Sequence, residues 1–195
     1  QALNAQGITI LLVTHDLANV ARYARRVVVV NDGAVVADGP TAAVMADVFA
    51  REAEFFSIGT NDLVQYALAI DRGSQTLAPL ASPFDPAILR LVKNVADVGA
   101  RFERPVSLCG AMASDPLAAV LLVGLGLRVV SMEAAAIPEI KEALRRLTVS
   151  EAERIALLAL AEDSADRVHG VLARELSARF GDLLAGIAED ESYPR

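Results

Sequence analysis

Alternation of short apolar strands with helices predicts an α/β fold, a mainly parallel sheet with helical crossovers. Three observations carry this reading. Residues 8–13, 27–30, 55–58, 105–108 and 128–131 are short, mostly apolar runs, the mark of buried strands. Helical stretches follow them, and three open on proline, at Asp85-Pro86, Asp115-Pro116 and Pro138, where the missing N–H is not needed. The composition is 54% hydrophobic but only 5% aromatic, which suits layers whose buried parallel strands read as Val, Ile and Leu runs.

Along the chain, residues 8–13 are the first expected strand. Asp16, in Thr14-His15-Asp16, is placed to cap a helix running to residue 24. Residues 27–30 are the next strand, Asn31-Asp32-Gly33 is a hairpin turn signal, and residues 34–37 return. A helix is expected over 41–51, a strand over 55–58 ending at Gly59, and a helix over 62–68. Residues 71–82 are polar and turn-rich, a long loop of a kind that is often functional. A helix from Asp85-Pro86 runs to about residue 100, and the strand at 105–108 leads to a helix from Asp115-Pro116 ending near Gly126. After the strand at 128–131, a helix runs from Pro138 to residue 147. Ser150-x-x-Glu153 has the form of a capping box, and mostly helical sequence follows to about residue 187.

From residue 55 onward the strands end in polar positions: Asn61 and Asp62, then Cys109, then the segment around Ser131. In a (β/α)8 barrel, chemistry sits at those carboxyl ends. Three units do not close a barrel, so a partial (β/α)8, TIM-type barrel is expected. The strands at 8–13 and 27–30 are expected to join the sheet beside 55–58, because a bare apolar edge invites aggregation. The remaining edge would be covered by the C-terminal helices or pair with a second copy, giving a homodimer.

The net charge of −7 repels phosphate backbones, which argues against nucleic acid as a partner. Small anions can still be captured locally by Arg and Mg²⁺. The one cysteine, Cys109, has no partner for an internal disulfide and no zinc-ligand spacing, and a reducing cytoplasm fits. There is no basic-then-apolar leader, and the apolar runs are too short to span a bilayer, so no membrane insertion is expected. The chain begins without Met, on a segment that reads as mid-domain, and a fragment or fusion is expected.

Two stretches resemble known families. "GITILLVTHDLANVARYARRVVVVNDGAVVADGP" resembles the end of an ABC-transporter ATPase domain, with His15 at the position of that family's switch histidine, which contacts the ATP γ-phosphate. No GxxxxGK[ST] phosphate loop, signature motif or Walker B carboxylate occurs in the sequence. A phosphate cradle needs successive backbone N–H groups plus a Lys, so the other reading of His15 is an ordinary residue at a strand end. "FFSIGTNDLVQYALAIDRGS" resembles the signature of Enzyme I of the sugar phosphotransferase system, and "SLCGAMASDP", "GLGLRVVSM" and "IPEIKEALRRL" continue the match in order. The resulting organisation is an ATPase-like βαβ-hairpin segment over 1–40, a partial phosphoenolpyruvate-utilising barrel over 41–148 and C-terminal helices over 149–195.

The second resemblance implies a phosphoenolpyruvate site using Mg²⁺. It implies Asp62 as a metal ligand, Asn61 as a phosphate hydrogen-bond donor and Arg72 as a planar fork for phosphate or carboxylate. Asp38 falls on the family's metal-binding Glu and is one methylene shorter; the other reading is a turn carboxylate. Arg72 without the motif would read as a surface residue. Cys109 would protonate the enolate carbon of pyruvate, or deprotonate it in reverse; the alternative is a small buried hydrophobe. Ala111 stands where the family commonly has Glu. His169, in "DRVHGVLA", is not in a phosphohistidine motif and reads as an exposed or half-buried helix residue. The expected function is an Enzyme I-type module handling phosphoenolpyruvate and pyruvate in a phosphocarrier pathway. The alternatives are a non-catalytic half-barrel assembly piece and an ABC ATPase remnant.

Overall fold

Residues 29–31, 34–36, 46–51, 53–68, 70 and 81–189 are described by the computed structural model. Two short strands come first, β1 (Val29–Asn31) and β2 (Ala34–Val36), then helix α1 (Ala46–Phe49). The parallel part follows as β3 (Phe56–Gly59), α2 (Thr60–Ala67), α3 (Pro86–Arg101), β4 (Val106–Cys109), α4 (Pro116–Gly124) and β5 (Val129–Ser131). Three helices close the chain: α5 (Ile137–Arg145), α6 (Val149–Leu160) and α7 (Ala165–Glu189). Single 3-10 turns cover Ala111–Ser114 and Ala134–Ala136.

The strand–helix alternation produces the expected α/β arrangement. β3, β4 and β5 are parallel and adjacent in that order, with α3 and α4 as the connections between them. Among the described residues, both outer edges of this sheet are open. The first hairpin does not extend it. Val29 and Val30 pair with Val36 and Val35, and Asn31 faces Ala34, in a sheet of their own. This corrects the expectation that residues 27–30 line up beside 55–58. Only two residues separate β1 from β2, and so short a connection costs far less entropy to close than one reaching past residue 55. Residues 8–13 and the loop residues 71–80 lie outside the described residues, as do residues 41–45 of the helix expected over 41–51.

Capping chemistry sets the helix starts. Asp85 accepts from Ala87 N at 2.8 Å and opens α3. Asp115 accepts from Leu117 N and Ala118 N at 2.7 and 2.9 Å and opens α4. α4 is buried nearly all round, with Leu117, Val120, Leu121 and Leu122 in the core, and it packs against helices α5 and α6 and the 3-10 turn that precedes it. A helix apolar on every side belongs in such a position. Its last residue, Gly124, meets α6 backbone: a Cβ there would stand 2.2 Å from the Ala152 carbonyl oxygen.

The capping box lies two residues earlier than the sequence suggests. Thr148, not Ser150, is the N-cap of α6; its hydroxyl accepts from Glu151 N, and Glu151 Oε2 accepts from Thr148 N at 2.8 Å. Both spacings satisfy the pattern, but Glu151 also reaches Arg179 of α7, which ties this cap to tertiary structure. The mostly helical sequence expected to residue 187 forms two helices, α6 and α7, and α7 is kinked at Phe180 (φ −120°, ψ 15°). No helix among the described residues is long and apolar enough to cross a membrane.

Two measurements check this packing. Gly124→Ala should lower the urea midpoint by an amount worth about 1–3 kcal/mol, the usual range for overpacking. Gly170→Ala should raise stability by about 0.5–1 kcal/mol, since a Cβ at Gly170 in α7 meets nothing within 4 Å.

A second check is electrostatic. The Arg179 guanidinium first, then the Thr148 N–H and hydroxyl, hold the Glu151 carboxyl at about 2, below its ordinary 4.5. A depressed carboxyl contributes stability that is complete above the unfolded value and fades as pH falls through the folded one. The pair is exposed (Arg179 46%, Glu151 31%), so solvent screens it. Glu151→Gln keeps a capping acceptor and removes the charge. Wild type should therefore exceed this variant in stability at neutral pH, by a margin that salt reduces and that vanishes between about pH 4.5 and pH 2.

Candidate functional site

The parallel register brings three strand ends to one level. Gly59 pairs with Cys109, and Cys109 with Ser131. The residues leaving β3 and β4 are therefore neighbours, and they are bonded to each other. Thr60, the buried polar residue of the core at 1% exposure, donates from Oγ1 to the Cys109 carbonyl at 3.0 Å. The Ala111 N–H donates to Asn61 Oδ1 at 3.2 Å.

Gly110 makes this approach possible. Its backbone lies at φ +112°, ψ −175°, a region that only glycine occupies without strain. A Cβ there would stand 2.4 Å from Thr60 Oγ1 and 3.2 Å from Asn61 Oδ1. The chain then tightens into the 3-10 turn Ala111–Ser114, with Ala113 N donating to the Gly110 carbonyl at 3.0 Å, and Asp115 ends the turn by capping α4.

Asn61 and Asp62, in the first turn of α2, and Cys109, at the end of β4, thus stand at the same end of the sheet, all three partly exposed. Arg72, Asp38 and His15 lie outside the described residues. Thr60 and Gly110 are site-forming residues that motif reading passed over. The available signal was a hydroxyl residue directly after one strand, in Gly59-Thr60-Asn61, and a glycine directly after the next, in Cys109-Gly110.

Among the described residues, no cluster of three or more His, Cys, Asp or Glu could hold a metal alone. Asp62 offers one hard carboxylate oxygen donor at the rim. Mg²⁺ is commonly held by one or two carboxylates with water and substrate oxygens completing its shell, so this donor suits Mg²⁺ in kind.

Residues 19–149 match the family model described as PEP-utilising enzyme, PEP-binding domain. The chain belongs to that family. The match to the PEP-binding domain passes through residue 40, where the ATPase-like motifs end, and stops where α6 begins. The chain is 44% identical over 154 residues to the phosphoenolpyruvate-protein phosphotransferase of Geobacillus stearothermophilus, covering 74% of this chain and 27% of that protein. It is 46% identical over 129 residues to the protein of the same name from Listeria monocytogenes, covering 66% and 23%. It is 43% identical over 140 residues to a multiphosphoryl transfer protein of Xanthomonas campestris, covering 72% and 17%. The chain thus spans about a quarter or less of the length of these relatives.

The bridge between the strand ends makes the PEP-binding domain sensitive to small changes there. Thr60→Val removes one hydrogen bond at constant shape and should cost about 1 kcal/mol. Gly110→Ala should cost about 1–3 kcal/mol from backbone strain alone, and more with the Thr60 clash. Urea unfolding measures both; a neutral Gly110→Ala would contradict the described geometry.

Proposed function

We propose that this chain is the phosphoenolpyruvate-binding module of an Enzyme I-type phosphoenolpyruvate-protein phosphotransferase, built as a partial (β/α)8 barrel. It would take part in Mg²⁺-dependent phosphoryl transfer from phosphoenolpyruvate toward a phosphocarrier pathway in the cytoplasm. The observation that carries this reading is the Ala111–Asn61 hydrogen bond. A backbone N–H can only donate, so the Asn61 atom facing it is the carbonyl oxygen, and the amide NH2 is left to donate. Phosphate oxygens need donors that add no negative charge, and Asn61 is oriented as one.

Each remaining residue then has a role. Asp62 would hold Mg²⁺ together with water and substrate oxygens, and Asp38 is the second candidate ligand. When bound, the ion neutralises charge on the phosphoryl oxygens, where this reaction class needs it. Arg72 supplies a bidentate fork for phosphate or carboxylate. Cys109, level with Gly59, would give its thiol proton to the enolate carbon and take it back in the reverse direction. His15 is assigned no part in this chemistry.

A second reading is favoured by the open three-stranded sheet. A half-barrel can fold, pair with a second copy along an open edge and do no chemistry. Calorimetric titration with phosphoenolpyruvate, with and without Mg²⁺, separates the two. The module reading expects saturable, Mg²⁺-dependent binding. Arg72→Ala and Asn61→Asp should each weaken it roughly 10- to 150-fold, the equivalent of about 1.5–3 kcal/mol per charged hydrogen bond. Binding unchanged in both variants would place the site elsewhere, and no binding by the wild type would favour the assembly reading.

A further inference from the structure

The strand ends hold one polar residue that the proposed function leaves without a part. β5 stops at Ser131, which pairs with Cys109 as Cys109 pairs with Gly59. Residues in register on neighbouring parallel strands share a sheet face, and such strands lie about 4.8 Å apart. Ser131 therefore flanks Cys109 on one side, level with the β3 exit that flanks it on the other. It is exposed, and Cys109 is partly exposed.

The pleat sorts the sheet into two unlike faces. Phe56, Ile58 and Leu108 are buried in the core, and Val106 and Val130 pack against it. The alternate positions, on the other face, are Ser57, Gly59, Ser107, Cys109, Val129 and Ser131. Parallel sheets ordinarily bury both faces under apolar layers. This face offers hydroxyls and a thiol, and its large apolar residue, Val129, is 54% exposed. It can hold a small polar ligand, whereas a dry apolar layer on it would leave polar groups unpaired. Ser107 spends its hydroxyl between the strands, donating to the Phe56 carbonyl at 3.3 Å. Ser131 stands at the exposed rim, level with Cys109.

We propose that Ser131 is a substrate-contacting residue of the phosphoenolpyruvate site, its hydroxyl donating to the substrate carboxylate. This deepens the function proposed above and rests on that reading. Phosphoenolpyruvate carries its methylene, phosphate and carboxylate groups on one central carbon, so the three diverge. With the phosphate at Asn61 beyond β3 and the methylene carbon at Cys109 on β4, the carboxylate is left on the side of β5. The spacing of neighbouring strands matches the reach of so small a molecule. A serine hydroxyl can donate without adding charge, and a hydrogen bond to a carboxylate is stronger than one between neutral groups. A serine that was only part of the surface could be replaced without consequence for any ligand.

The test uses the thiol of Cys109, the one cysteine of the chain, as its reporter. The full chain is alkylated with iodoacetamide in Mg²⁺ and rising phosphoenolpyruvate, and the concentration that gives half-protection is compared for wild type, Ser131→Ala, Ser131→Thr and Val129→Ala. Ser131→Ala should raise that concentration roughly 10-fold, the loss of one hydrogen bond to a charged group, and its urea midpoint should match wild type because the residue is exposed. Ser131→Thr, which keeps the hydroxyl, should stay within about threefold of wild type. Val129→Ala, on the same strand and face, should match wild type. Protection by pyruvate, which keeps the carboxylate and lacks the phosphate, should weaken by the same factor in Ser131→Ala. Phosphoenolpyruvate protection unaltered in Ser131→Ala, or lost equally in Ser131→Thr, overturns the proposal, as does a loss confined to phosphoenolpyruvate with pyruvate protection intact. A wild type that phosphoenolpyruvate does not protect overturns the function proposed above together with this role. Wild-type protection that Asn61→Asp weakens and Ser131→Ala leaves intact overturns this role alone.

Discussion

The glycine at position 110 sets the geometry on which the rest of the site depends. Two parallel strands end side by side, and their exits must approach closely enough for Thr60 to reach the Cys109 carbonyl and for Ala111 to reach Asn61. Any Cβ at Gly110 would occupy the space that the Thr60 hydroxyl uses. The positive φ there then turns the chain so that its next N–H points at Asn61. One backbone conformation thereby fixes which end of the Asn61 amide faces outward, and with it the chemistry the residue can do. Ala111 needs no functional side chain for this, because its backbone supplies the contact.

The helices make that arrangement rigid. Asp85 and Asp115 hold the first amides of α3 and α4, and both caps stand at the same end of the sheet as Cys109. α4 is enclosed by apolar neighbours and is pressed against α6 at Gly124. α6 and α7 are tied together by the Glu151–Arg179 and Arg154–Glu175 pairs, and reciprocal bonds between Arg146 and Arg179 tie the end of α5 to α7. Exposed ion pairs contribute little each; the buried faces of α6 and α7, with Ile155, Leu172, Leu176 and Phe180 in the core, contribute most of what holds this layer in place.

Much of this was legible because it is local. Asp-Pro pairs announced α3 and α4 directly, the Asp32-Gly33 turn announced its hairpin, and apolar runs marked β3, β4 and β5. Family motifs pointed to Asn61, Asp62 and Cys109 before any geometry was known. What escaped depends on contacts distant in sequence. Thr60 matters through its register with Cys109, which no local pattern encodes. Thr148-x-x-Glu151 and Ser150-x-x-Glu153 are equally good capping boxes on paper, and Arg179, far along the chain, belongs to the one that forms. Residues 29–31 look like a strand that could also extend the main sheet, but their hairpin with β2 forms a sheet of its own. His169 reads from sequence as a half-buried helix residue, but its partner Phe84 lies on the other side of two strands.

On the proposed function, phosphoenolpyruvate binds where β3 and β4 end, against the Asn61 amide and beside Cys109. Resonance-by-resonance NMR titration with phosphoenolpyruvate and Mg²⁺ tests this most directly. Saturable shifts centred on the Asn61 side-chain NH2, Cys109 and Ala111 are expected, with Phe56 and Val106 at the opposite strand ends unmoved. Shifts centred on those opposite ends, or a saturable response that leaves the Asn61 amide untouched, would contradict it.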